Sequence, residues 1–411
     1  MRRAALLAAT LVAASMAGGT ARAEPDNYTE AARGRYLTVL GDCMACHIGP
    51  DGQSLAGGHL LETPFGKISV PNITPDNDTG IGRWTADDFH NAMHNGKRPD
   101  GTHLYPAFPY TSFTRMSRAD NDAVLAYLRS RPAVENRVDR DTLPFPFNIR
   151  LLMAGWNWLN FTPGEFRPDP QRSAEFNRGA YLVEGPGHCG LCHTPRNLIG
   201  GDRDSEHLQG GALQGWFAPN ITADARLGIG DWSQEEIVAY LRTGHTDRTA
   251  ASGPMAEVVA YSTSQMTEED LKAIAIYLRE RGAAAPPAPP AVSAEDPRMR
   301  AGEAVYADTC AACHVGNGSG VAGMFPRLAN NQLVRQDDPT GILRVVLQGS
   351  RSVATPEAPT APAMPSLGWR LNDQQAADVA TYIRNSWGNV APPVTPDQVR
   401  KMREVVADRP G

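Results

Sequence analysis

Three short stretches decide the fold: Cys43-Met44-Ala45-Cys46-His47, Cys189-Gly190-Leu191-Cys192-His193 and Cys310-Ala311-Ala312-Cys313-His314. They share the form C-x-x-C-H and use all six cysteines of the chain. Two cysteines three positions apart on a helical turn present their sulfurs to one side, a spacing that matches two thioether bonds to the vinyl groups of haem. The next residue then places an imidazole over the iron, and this is the attachment signature of c-type haem. Other uses fit less well. Zinc requires four closed ligands, and a second C-x-x-C or H-x-x-x-H does not accompany each copy. Three disulfides give no reason for a histidine after every pair, and a thioredoxin-like motif expects a βαβ context that is missing here. The expectation is three covalent haem c groups on Cys43, Cys46, Cys189, Cys192, Cys310 and Cys313, with His47, His193 and His314 as axial ligands.

The sequence around the motifs repeats as well. GRYLTVLGD (34–42), RGAYLVEGPGH (178–188) and AGEAVYADT (301–309) each read as a helix end leading into a motif. Downstream, PNITPDNDTGIGRW (71–84) matches PNITADARLGIGDW (219–232), and the pairs Thr85…Asp88 and Ser233…Glu236 that follow are capping-box signals. Each copy closes on a helix with apolar residues at helical spacing: NDAVLAYLRSR (121–131), EDLKAIAIYLRER (269–281) and QQAADVATYIRNS (374–386). Alternating strand patterns of comparable length are missing. The pattern predicts an all-α chain of three tandem cytochrome c-type domains, 24–140, 172–282 and 294–390, with 391–411 as a C-terminal tail. A Pro/Ala linker, 283–293, is expected to be extended and fairly stiff. The connector 141–171 contains LPFPFNIRLLMAGWNWLNF, too apolar for a solvated linker and too interrupted for a membrane span. It reads either as packing between the first two domains or as a docking surface, Trp and Arg being common binding anchors.

Composition agrees. The chain has 411 residues, long enough for several domains, and 41% hydrophobic residues, enough for a core. Its formal charge of −6 argues against a nucleic-acid partner, and no apolar run is long enough to span a bilayer. Residues 1–23 read as an export signal: Arg2 and Arg3, an apolar stretch from Ala4 to Met16, and Ala21-Arg22-Ala23 as the cleavage site. Cleavage would move the charge from −6 to −9 and place the chain in the periplasm, at the outer face of the inner membrane where it is membrane-associated.

The far side of each iron separates the copies. A thioether there closes the iron and raises its potential, which suits electron transfer. Met255 in GPMAEVV lies sixty-three residues after Cys192, and Met364 in APAMPSLG fifty-one after Cys313; both are expected in loops before the closing helix. The first copy has LYPAFPYTSF, with Phe108 sixty-two residues after Cys46, and a phenyl ring cannot ligate. Met116 leads the alternatives, although it aligns with Met266 and Leu371 at core positions; His103, His94 or an open site follow, and Met93 reads as core. Arg196 and Asn197 either contact haem propionates or cap the turn after the second motif.

Together, PNIT…GIG-x-W, LYPAFPY, FPFNIR, RGAYLVEG-x-GHC-x-x-CHTPRN and GPMAEVV resemble the trihaem cytochrome c subunits of bacterial membrane-associated dehydrogenases of the alcohol, gluconate and sorbitol type. The resemblance covers nearly the whole chain past the export signal. It implies a partner catalytic subunit of flavin, quinone-cofactor or molybdenum type, and electrons passing through three haems to ubiquinone or another respiratory acceptor. It also implies that the chain does no substrate chemistry itself. Many members carry LYPAMPY where this chain has Phe108. The residues keep two rivals: a freestanding multihaem carrier, and a peroxidase- or reductase-like haem enzyme using an open first haem. The end of the chain, TPDQVRKMREVVADRPG, is expected to offer a short charged helix and weak membrane attachment.

Overall fold

The structure is a computed structural model that describes residues 27–139, 142–282 and 287–408, so the expected export signal and the start of the Pro/Ala linker lie outside the described residues. The first segment contains α1 (Asn27–Leu40), the motif turn Cys43–His47, the hairpin β1 (Leu60–Thr63) and β2 (Gly66–Ser69), α2 (Ala86–Asn95) and α3 (Arg118–Arg129). The connector supplies α4 (Leu152–Asn160). The second segment follows with α5 (Ala174–Glu184), the turn Gly190–His193, β3 (Gly211–Leu213) and β4 (Trp216–Ala218), α6 (Gln234–Thr243), α7 (Pro254–Tyr261) and α8 (Glu268–Glu280). The third has α9 (Pro297–Thr309), the turn Ala311–His314, α10 (Thr340–Gln348), β5 (Ser350–Arg351) and β6 (Ala363–Met364), α11 (Asp373–Arg384) and α12 (Pro396–Asp408).

Helix boundaries follow the capping signals. Thr85 with Asp88 and Ser233 with Glu236 form reciprocal capping boxes at the starts of α2 and α6, and Asn372 with Gln375 does so at α11. In each segment the first helix crosses the closing helix, α3, α8 or α11, at a glycine. A Cβ at Gly34 would lie 1.8 Å from the Ala123 carbonyl oxygen, one at Gly179 1.9 Å from that of Ala273, and one at Gly302 2.2 Å from that of Asp378. Only a residue without a side chain lets the two backbones meet this closely. The apolar stripe of each closing helix turns into a separate core, built on Leu125 and Leu128, on Leu271 and Leu278, and on Val379 and Ile383. Each such side chain, fully buried, contributes about 1.5–3 kcal/mol.

Three features depart from the sequence pattern. The two-stranded hairpins were not visible because strands of two to four residues are too short for a periodic signal. Met255, expected in a loop, lies in the first turn of α7, and Met364 lies in β6. The tail expected over 391–411 is not separate from the third core: Val394, Val399 and Met402 are buried there, so the apolar side of α12 is covered by its own segment.

The first two segments exchange hydrogen bonds in a reciprocal pattern. Arg178 of α5 pairs with Asp270 of α8 at 2.8 Å, and Tyr36 of α1 donates to the same carboxylate at 2.7 Å. Conversely, Arg33 of α1 pairs with Asp120 of α3, and Tyr181 of α5 donates to Asp120. Leu40 even joins the second core. The connector braces the same pair of segments: Tyr110 donates to Asn157 at 2.5 Å, and Trp156 donates to the Ile199 carbonyl at 2.8 Å. Its opposite face leaves Phe145, Leu151, Trp158 and Leu159 exposed.

Candidate haem sites

Each motif forms a helical turn directly after the first helix of its segment, which puts its histidine at the turn's end. The three histidines are then oriented in one way. Nδ1 of His47 faces the Pro71 carbonyl at 2.7 Å, that of His193 faces Pro219 at 2.7 Å, and that of His314 faces Pro326 at 3.0 Å. A carbonyl only accepts, so Nδ1 carries the proton and Nε2 is left with its lone pair. This is the arrangement that fixes a metal-ligating imidazole. Burial pushes His47 down to about 4 and lowers His193 and His314, which keeps all three rings neutral and ready to coordinate.

The cysteines are not joined to one another. Burial pushes the Cys43 and Cys189 thiols up to about 12 and those of Cys46, Cys192 and Cys310 to about 11. Thiolate chemistry, whether zinc binding or disulfide exchange, is therefore disfavoured here, whereas a thioether carries no charge to desolvate. Histidines with a free Nε2 beside unpaired cysteines fit covalent haem.

The first two motifs are neighbours. His188, just before Cys189, lies 3.1 Å through Nε2 from the carbonyl of Gly41, just before Asp42 and Cys43. Ser262 donates to the Leu40 carbonyl at 2.9 Å, and α7, which carries Met255, packs against the turn Cys43–His47. The recurrence of PNIT now has a physical reason. Its proline orients the histidine, and its asparagine accepts from the threonine two positions on, Asn72 from Thr74 at 2.7 Å and Asn220 from Thr222 at 2.7 Å through the hydroxyls. The repeat is visible in the sequence, whereas the role of Pro71, Pro219 and Pro326 rests on their backbone carbonyls and is not.

Of the residues expected on the far side of the irons, Met255 follows Gly253 and Pro254. Gly253 has φ +54°, and a Cβ there would come within 2.4 Å of the Trp216 ring. Met364 packs partly buried against the third core. Phe108 occupies the corresponding loop of the first segment, its ring centroid 5.4 Å from that of Phe113. Met116, Met266 and Leu371 occupy one station, immediately before the cap of the closing helix and buried in their respective cores. Met93 is core as well. His103 is held through Nδ1 by Asn157 at 3.2 Å, and His94 stacks on His90 at 5.1 Å between centroids. Arg196 caps the turn: it donates to the Leu191 carbonyl at 2.6 Å and pairs with Asp202, while Asn197 accepts from the amides of Ile199 and Gly201.

The family model for cytochrome c matches residues 31–132 and 299–387. The chain is 39% identical to the cytochrome c subunit of the quinone alcohol dehydrogenase of Gluconacetobacter polyoxogenes, over 96% of this chain and 88% of that protein. It is 40% identical to the gluconate 2-dehydrogenase cytochrome c subunit of Pantoea cypripedii, over 90% and 89%. It is also 44% identical to a nicotinate dehydrogenase subunit of Pseudomonas putida, over 86% of this chain but only 30% of that longer protein. Identity at this level over nearly the full length of the first two relatives, together with the motif geometry, establishes that the chain belongs to the family of dehydrogenase cytochrome c subunits.

Proposed function

We propose that this chain is a periplasmic electron-transfer subunit of three tandem cytochrome c-type domains. It would carry three haem c groups on the pairs Cys43 and Cys46, Cys189 and Cys192, and Cys310 and Cys313. It passes electrons from a dehydrogenase catalytic subunit, as the names of its relatives suggest, to ubiquinone or another respiratory acceptor. Each haem, when bound, supplies a one-electron iron couple. The observation that carries this reading is the threefold recurrence of a neutral, half-buried imidazole held at Nδ1 by a proline carbonyl. The rest of the chain's work is positioning. The reciprocal Tyr–Asp contacts and the His188–Gly41 contact keep the first two motifs together. Met255 and Met364 would each supply a thioether to their site, which raises the potential of a bound haem.

Two measurements test this. A haem stain after denaturing electrophoresis, with haem quantified per chain, should give three covalent haems; fewer would remove the three-site reading. Mild-detergent purification from the native host should bring down a flavin, quinone-cofactor or molybdenum subunit in fixed ratio. A three-haem protein that emerges alone would make it a freestanding carrier. Phe108 at the far side of the first site favours a second reading, in which that haem binds small ligands. Carbon monoxide binding to the reduced protein reads this directly.

A further inference from the structure

The turn between β3 and β4 is held by an arginine of the third segment. Gln214 and Gly215 form this turn, at φ +49° and +75°, the two-residue connection that suits the twist of a hairpin. Nη1 of Arg344, in α10, donates to the Gly215 carbonyl at 3.0 Å and to that of Gln214 at 3.4 Å. Its Nε donates to Gln348 at 2.8 Å, and its Cζ stands over the Trp216 ring, 4.5 Å from the centroid. Arg344 is 3% exposed, on a helix whose Leu343, Val346 and Leu347 enter the third core. A guanidinium is buried at tolerable cost only where other groups replace its water. The second segment supplies two carbonyls and a ring face for this.

The same indole sets the path of the chain into α7. Gly253, at φ +54°, lies flush against it: a Cβ there would come within 2.4 Å of Cε2 and 2.6 Å of Cζ2. Pro254 then opens α7 with its φ fixed, and Met255 is next. From the ring to Met255 the chain is thus one packed glycine and one proline, a tether with little slack. The first segment is built differently. Ile68 stands three positions before Pro71, where Trp216 stands three before Pro219, and the far-side loop carries Phe108. Its hairpin is held by the connector, Thr142 donating to the Lys67 carbonyl at 2.6 Å and accepting from the Ser69 amide at 3.1 Å. The stacked arginine goes with the copy that has a far-side methionine to hold.

We propose that Arg344 and Trp216 are positioning residues for the thioether of the second haem, so that the third segment, through one buried guanidinium on the indole, holds the loop that carries Met255. The proposal rests on the reading of Met255 as a ligand given above. Loosening the ring lets the sulfur drift from the iron, and a haem that loses its thioether falls in potential. The effect of Arg344 is therefore felt at the second haem, although Arg344 belongs to the segment of the third.

The test uses the full holoprotein, with three haems per chain confirmed for every variant. In a Met364→Leu background the remaining sulfur-to-iron band reports the second haem, and in a Met255→Leu background it reports the third. In the first background, Trp216→Leu should weaken the band and lower the reduction equilibrium of the second haem about tenfold, about 59 mV for one electron, and Arg344→Leu should lower it about threefold. Trp216→Phe, which keeps a ring against Gly253, should restore most of the loss. The double variant should go no further than Trp216→Leu alone, because the arginine acts through the ring. In the second background, Arg344→Leu should leave the band and midpoint of the third haem in place. If Trp216→Leu takes up no haem, Arg344→Leu and Trp216→Phe carry the comparison. An unmoved second haem would overturn the proposal while leaving Met255 a ligand, and so would a fall at the third haem equal to that at the second, which makes Arg344 a general support of the fold. A band that Met255→Leu does not diminish would remove the ligand reading itself, and the proposal with it.

Discussion

The first and second segments share a scaffold and differ where the haem chemistry is set. Both cross their terminal helices at a glycine, hold the motif histidine with the proline of PNIT, and start α2 and α6 with a reciprocal cap. The far-side loop carries Phe108 in one and Met255 in the other, and the loop after PNIT carries Asp78 in one and Arg226 in the other. The scaffold residues answer to backbone geometry, which the attachment turn imposes on any copy. The residues that differ lie outside that crossing and outside the proline–histidine contact, so under the proposed function they would set potential and access haem by haem.

The comparison breaks most visibly at Met255. Met255→Leu keeps the volume and removes the thioether. The second haem should lose its sulfur-to-iron charge-transfer band, and its reduction equilibrium should fall about a thousandfold, roughly 180 mV at 59 mV per decade. Met364→Leu should do the same to the third haem. Unchanged spectra in either variant would remove that methionine from the ligand set. The converse change sharpens the contrast. Reduced protein is expected to bind about one carbon monoxide per chain, at the first haem, and Phe108→Met should bring this close to zero. Carbon monoxide taken up in equal amount by both proteins would show that Phe108 does not decide access.

Much of this was legible in the sequence because it repeats. Three C-x-x-C-H copies, the paired caps and the closing helices each rest on local rules, so reading one copy predicted the others. What stayed hidden was whatever depends on a partner far along the chain. The burial of Val399 and Met402 in the third core turns an expected tail into part of a segment, and Tyr36 meets Asp270 across 234 positions. The short hairpins gave no periodicity, and the first-turn position of Met255 was masked by a Gly-Pro pair that reads equally as a loop. The histidine-orienting prolines were visible as letters, but a carbonyl has no side-chain signature.

The reciprocal interface gives a smaller and symmetrical effect. Tyr36→Phe and Tyr181→Phe each remove one hydrogen bond to a carboxylate and should cost about 1.5–3 kcal/mol in urea unfolding. The two lie in equivalent places, so the double variant should lose close to the sum. Burial pushes Asp270 up, but the hydrogen bonds from Arg178 and Tyr36 outweigh it and hold the carboxyl below its ordinary value. Its folded-state value is therefore lower than its unfolded one. The stabilisation is complete above the unfolded carboxylate value of about 4 and is lost as the pH falls through the folded value. Tyr36→Phe should flatten this acid limb, and an unaltered limb would separate Tyr36 from the titration of Asp270.

The smallest effect is expected at Met116, and it bears on the same contrast. Met116 is the first segment's nearest sulfur in sequence to the far-side loop, yet its station before the closing helix is occupied by Met266 in the second segment and Leu371 in the third. The third copy shows that an aliphatic side chain serves there, packed in a core beside Met364. Met116→Leu is a volume-conserving exchange in a core and should cost less than about 1.5 kcal/mol. It should leave the first haem's spectrum, midpoint and carbon monoxide binding as they were. A fall in that midpoint or new carbon monoxide uptake would make Met116 the ligand, and Phe108 would then mark a relocated thioether in the first segment instead of a missing one.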